Sequence, residues 1–76
     1  MNALKRITFN SQVMGGKPCI RGLRVTVGTI VGLLAAGKNN KEILQAYPYL
    51  EKEDIHEALV YAAWRVEEIE QPLRFA

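Results

Sequence analysis

One cysteine, Cys19, and one histidine, His56, are all the thiol and imidazole ligands in this chain, and that scarcity constrains its fold more than any other feature. A lone thiol excludes an intramolecular disulfide, and one Cys with one His falls short of the three or four ligands of a zinc site. At 76 residues, the chain falls in the size range where folding buries only roughly 60% of the surface exposed in the unfolded state. With both staples excluded, oligomerisation or a heterologous partner is the remaining support for so small a core. A homo-oligomer, a dimer first, is therefore expected, with no cofactor.

Hydrophobic residues make up 49% of the chain and charged ones 24%, the balance of a globular protein and not of a disordered tail. The longest apolar stretch, Val25 to Ala36, falls well short of the ~20 residues that cross a bilayer. Met1 to Arg6 lacks the apolar core of a signal peptide. The expectation is a cytoplasmic protein without a membrane partner.

Charge is unevenly placed. Lys5, Arg6, Lys17, Arg21 and Arg24 lie in the first 24 residues with no acid among them, whereas the remainder carries five bases against eight acids. Such a basic front fits a polyanion or an acidic protein face; an evenly solvated surface is the plain alternative.

Ile7-Thr8-Phe9 alternates as a short strand, with Asn10-Ser11 as a turn. Gly15-Gly16 and Pro18 punctuate a loop, and Ile20 to Val27 reads as a second extended run, so that residues 1–25 form a short β-hairpin or an extended basic arm. A trihelical bundle follows over 26–71. Its first helix is placed from about Thr26 to Ala36, where Val27, Ile30, Val31 and Leu34 recur at helical spacing and Gly37 ends the run. Gly28, Gly32 and Ala36 form a thin face expected to admit a second backbone. The second helix opens at Asn39 with Glu42 completing a capping box, turns Ile43, Leu44 and Tyr47 inward, and stops at Pro48.

The third helix, Lys52 to Glu70, should start with Leu50 stapled onto Ile55 across an acidic first turn. Ile55, Leu59, Ala62, Val66 and Ile69 make its apolar stripe, with Val60 and Trp64 on a neighbouring face. That width exceeds what one small core needs. Val60, Tyr61 and Trp64, with Leu73, Arg74 and Phe75 of the tail 72–76, are therefore candidate partner-interface residues, Trp64 merely closing the core edge being the simpler reading.

Chemistry finds little footing. Gly15-Gly16-Lys17-Pro18 lacks the glycine spacing of a phosphate-binding loop, and Pro18 has no amide to donate. Cys19 and His56 show no third orienting group, and read as a buried small side chain and a surface histidine. No catalytic residues and no enzyme are expected.

The short helix, the turn at Pro48-Tyr49-Leu50 and the longer helix make a helix-turn-helix-like pair. Val13-Met14-Gly15-Gly16-Lys17-Pro18-Cys19-Ile20-Arg21-Gly22, then Leu33-Leu34-Ala35-Ala36-Gly37, Glu42-Ile43-Leu44, Tyr47-Pro48, Leu50 and Glu53-Asp54-Ile55 resemble the bacterial domain of unknown function 433 family. The resemblance runs from Arg6 to Ala63. It implies a mainly α, homeodomain-like three-helix bundle, and proteins that look like antitoxins encoded beside PIN-like nuclease toxins. Glu51 stands where such chains commonly have a capping threonine, which adds negative charge to the third helix.

The expected function is an antitoxin-type, DNA-binding regulator that pairs with a PIN-like toxin; the alternative is a protein-interaction module with no DNA role. A recognition helix beginning Glu51, Lys52, Glu53, Asp54, His56, Glu57 would repel phosphates. Lys5, Arg6, Lys17, Arg21 and Arg24 are thus the candidate contacts to double-stranded DNA. In the interaction module, Arg74 of the tail would pair with a carboxylate of the nuclease.

Overall fold

A computed structural model describes residues 4–70 as three helices preceded by a small antiparallel hairpin. The tail residues Leu73, Arg74 and Phe75 lie outside the described residues. Strand β1 (Ile7–Thr8) pairs with β2 (Cys19–Ile20) so that Ile7 faces Ile20 and Thr8 faces Cys19. The connection between them carries one 3-10 turn at Met14–Gly16.

The run from Ile20 to Val27 is not one extended segment. Arg21 (φ 45°) and Gly22 (φ 73°) both take left-handed conformations, and the Leu23 amide donates to the Ile20 carbonyl at 2.7 Å. This reverses the chain, so the Ile20 amide reaches the Val25 carbonyl and Cys19 bridges to Thr26. β-Branched composition favoured strand throughout; the Arg-Gly turn overrode it.

Helix α1 (Val27–Ala35) starts at Thr26, whose hydroxyl oxygen accepts from the Thr29 amide at 3.0 Å. It ends in a Schellman arrangement, with Gly37 at φ 93°, its amide donating to Leu34 and the Lys38 amide donating to Leu33. Gly28, Gly32 and Ala36 are exposed, and among the described residues outside the helix's own backbone only the Thr26 hydroxyl lies within 4 Å of a Cβ built at either glycine. Contrary to the expectation from the sequence, the thin face therefore receives no second backbone among the described residues; the bulkier Val27 and Ile30 face the core instead.

Helix α2 (Asn40–Ala46) carries the full capping box. Asn39 Oδ1 accepts from the Glu42 amide at 2.8 Å, and Glu42 Oε1 accepts from the Asn39 amide at 2.9 Å. Ile43 is buried, and Leu44 and Tyr47 half-buried. The Tyr47 carbonyl then accepts from the Leu50 amide across Pro48-Tyr49, turning the chain into α3 (Lys52–Glu70).

One core joins all the elements: Ile7 and Ile20 from the hairpin, Val25, Val27 and Ile30 around α1, Ile43 of α2, and Leu50, Ile55 and Ala58 at α3. Leu50 and Ile55, the expected staple, are both buried. The buried line of α3 differs from the expected stripe. Asp54, Ile55 and Ala58 are covered, whereas Leu59 is 43% and Val66 53% exposed. Ala62 is half-buried, and the side chain of Ile69 is not among those described. The hairpin and α1 lie on the Asp54–Ala58 side and leave the Leu59–Val66 side open, a choice the periodicity of α3 alone does not encode.

Candidate functional site

The beginning of α3 is where the two oppositely charged parts of the chain meet. Asp54 is fully buried at the third helical position, where its Oδ2 accepts from the Glu51 amide at 2.8 Å, half of a capping box made by an aspartate. The same carboxylate accepts from Arg6 Nη1 at 2.9 Å, and from Arg21 through Nε at 3.1 Å and Nη2 at 2.9 Å. Arg21 Nη2 also donates to the Tyr49 carbonyl at 2.8 Å, and Arg6 Nη1 to Glu51 Oε1 at 2.7 Å. The Arg6 backbone amide donates to Glu57 Oε1 at 2.9 Å.

These bonds define the electrostatics. Burial pushes the Asp54 carboxyl up, but hydrogen bonds from Arg21, the Glu51 amide and Arg6 outweigh it, and the group titrates below its ordinary 3.8. Hydrogen bonding to Glu51 and then Asp54 raises Arg6, and bonding to Asp54 raises Arg21. The hairpin presents the two guanidiniums together because the Arg21 amide donates to the Arg6 carbonyl at 2.7 Å.

Of the five bases singled out for nucleic acid, the structure thus places Arg6 and Arg21 on Asp54. Lys5, Lys17 and Arg24 are exposed and make no salt bridge with a described residue. Part of the acidic face suited to the basic front lies within the chain itself. Asp54 is the residue that sequence reasoning missed. Its one local signal was an acid three residues after the position that caps α3.

A second feature lies further along the same helix. Tyr61 and Trp64 pack at 6.0 Å between ring centroids, Phe9 meets Tyr61 edge-on at 5.9 Å, and the Arg65 guanidinium lies 5.9 Å from the centre of Trp64. Leu4, Phe9 and Pro18 from the hairpin side, and Tyr61, Trp64 and Arg65 from α3, line an open cleft of about 650 Å³. Phe9 is 61% and Trp64 36% exposed. Two of the candidate interface residues, Tyr61 and Trp64, are brought together here; Val60 is half-buried and does not line the cleft. Phe9 had been read only as the end of a strand, and its place in the cleft follows from the register of the hairpin against α3.

Comparison with known proteins gives a consistent picture. The family described as "Protein of unknown function (DUF433)" matches residues 7–62. The "Uncharacterized protein y4eO" of Sinorhizobium fredii (strain NBRC 101917 / NGR234) is 38% identical over 56 residues, which is 74% of this chain but 25% of that protein. The chain therefore spans about a quarter of the length of that relative. A crystal structure of a DUF433 member from Anabaena variabilis ATCC 29413 superposes with a TM-score of 0.77 at 33% identity, covering 93% of this chain and 71% of that one.

Proposed function

The chain belongs to the DUF433 family, and from that premise we propose that it is an antitoxin-type protein-binding module whose hairpin and α3 together hold a segment of a PIN-like nuclease. The observation that carries this reading is the aromatic cleft. Exposed Phe9 and Trp64 flank half-buried Tyr61 in a concavity of about 650 Å³, a size and lining suited to an inserted apolar side chain. Arg65 at its edge is paired with Glu68 at 2.9 Å, an exposed ion pair weak enough for a partner's carboxylate to replace. The nuclease class comes from the family resemblance, and the binding role from the cleft.

DNA binding takes second place. Arg6 and Arg21 are engaged by Asp54, and α3 opens with Glu51 and Glu53 exposed. What favours it is that Lys5, Lys17 and Arg24 remain exposed without ion-pair partners among the described residues. Three phosphate contacts per chain correspond to a salt slope of about −3 in log–log terms.

The chain has one tryptophan, so emission of Trp64 reports directly on occupancy of the cleft. Titration with the nuclease encoded by the adjacent gene should shift that emission, and Trp64→Ala, followed by calorimetry, should weaken binding by about 30-fold. Undiminished binding by this variant sinks the cleft reading. Anisotropy titration of upstream DNA at two salt concentrations tests the other reading, which fails if no binding is found at low salt.

A further inference from the structure

We propose that Glu57 is the positioning residue of the aromatic cleft: by holding the Arg6 backbone amide it fixes the course of the chain along α3 and so sets the Phe9 ring against Tyr61. The amide donates to Glu57 Oε1 at 2.9 Å, a contact between residues 51 positions apart, and the Glu57 side chain is only 20% exposed. Glu57 and Tyr61 lie one turn apart on the same side of α3, about 6 Å of helix rise. Arg6 and Phe9 flank β1, about 10 Å of extended chain apart. This part of the hairpin therefore meets α3 at two points, an amide at Glu57 and a ring at Tyr61, where the centroids are 5.9 Å apart.

The other contacts of this segment are less directional. Phe9 is 61% exposed, so burial does little to hold its ring. The ladder of β1 with β2 has two pairs, Ile7 with Ile20 and Thr8 with Cys19, and a two-stranded hairpin this short is marginal by itself. Ile7, 8% exposed, seats the strand in the core, but dispersion has no preferred direction, whereas a hydrogen bond from a backbone amide does. The Arg6 guanidinium reaches Glu51 and Asp54 through a flexible stem, and Arg21 holds Asp54 as well. Loss of the Glu57 acceptor thus leaves the Asp54 contacts in place, and with them the docking of the hairpin. The consequence for ring geometry stands by itself; the consequence for binding rests on the nuclease reading.

Two variants separate the hydrogen bond from the charge. Glu57→Gln keeps a carbonyl oxygen for the amide and removes the charge, whereas Glu57→Leu keeps the bulk and removes the acceptor. In nuclear magnetic resonance of the full chain, Overhauser contacts between the Phe9 and Tyr61 rings should be lost in Glu57→Leu and kept in Glu57→Gln, with the far-ultraviolet dichroism of the fold retained in both. Against the nuclease encoded by the adjacent gene, Glu57→Leu should weaken binding by about tenfold, the worth of one aromatic contact. Glu57→Gln should bind as the unaltered chain does, and Phe9→Ala should cost nothing further once Glu57→Leu is present. The proposal is overturned if the ring contacts persist in Glu57→Leu, if Glu57→Gln loses them too, or if Phe9→Ala and Glu57→Leu weaken binding additively. The ring contacts are read on the free chain, so they decide the proposal even where the unaltered chain does not bind the nuclease, an outcome that sinks the nuclease reading alone.

Discussion

The two halves of α3 reverse the usual assignment of charge to solvent and apolar surface to core. Its beginning is dense in acids, yet Asp54 there is fully buried and both Glu51 and Glu57 accept hydrogen bonds from Arg6. Its second half is rich in large apolar residues, yet Trp64 and Val66 are exposed. In the first half, charge is used internally: two guanidiniums from the hairpin converge on a carboxylate 48 and 33 positions away in sequence. The apolar surface of the second half is left uncovered among the described residues. A charged segment can thus be the fastening of a small fold while an apolar one stays at its surface.

Substitutions along the helix break or sharpen this contrast. The largest effect is expected at Asp54, since removing a buried carboxylate takes the shared acceptor from two arginines and leaves the Glu51 amide without its partner. Asp54→Ala should cost about 3 kcal/mol in urea unfolding, a large share of the stability of so short a chain. If the loss were no greater than at an exposed glutamate, the contrast would collapse. Arg21→Lys should destabilise in the same direction but less, because an ammonium keeps the charge and loses the forked geometry.

Acid sharpens the comparison further. A carboxyl whose folded pKa lies below its unfolded value contributes stability above that unfolded value, and loses it as pH falls through the folded one. With Asp54 held below 3.8, thermal stability should decline as pH drops under about 4. Asp54→Asn should lack that component of the decline. In the second half of the helix, Trp64→Ala should cost only about 1 kcal/mol of stability, from the lost ring contacts. Smallest of all, Val66→Glu in dilute solution should change unfolding by less than about 0.5 kcal/mol, as expected for an exposed site. A loss of several kcal/mol there would mean that the second half belongs to the core.

Local features were legible in the sequence because their causes are local. Thr26, Asn39 with Glu42, Gly37 and Pro48 each act on backbone groups within four residues, and the helix starts and ends follow them. The helix-turn-helix-like order followed as well. The Arg21-Gly22 reversal was hidden because its flanking residues favour strand, and only the pairing of Cys19 with Thr26 shows the chain turning back. The candidate site was legible in part. Tyr61 and Trp64 were recognisable as surplus apolar surface, whereas Phe9 entered the cleft only through the hairpin's docking.

By itself the sequence determined the number of helices, the limits of the first two and the absence of an intramolecular disulfide, since these depend on residue counts and short-range hydrogen bonding. Which side of α3 is covered, and which bases stay free of ion pairs among the described residues, only the tertiary structure decided. Both depend on the hairpin bringing Arg6 and Arg21 to Asp54. A buried carboxylate selects its partners by distance in space, and no periodicity along the chain records that distance.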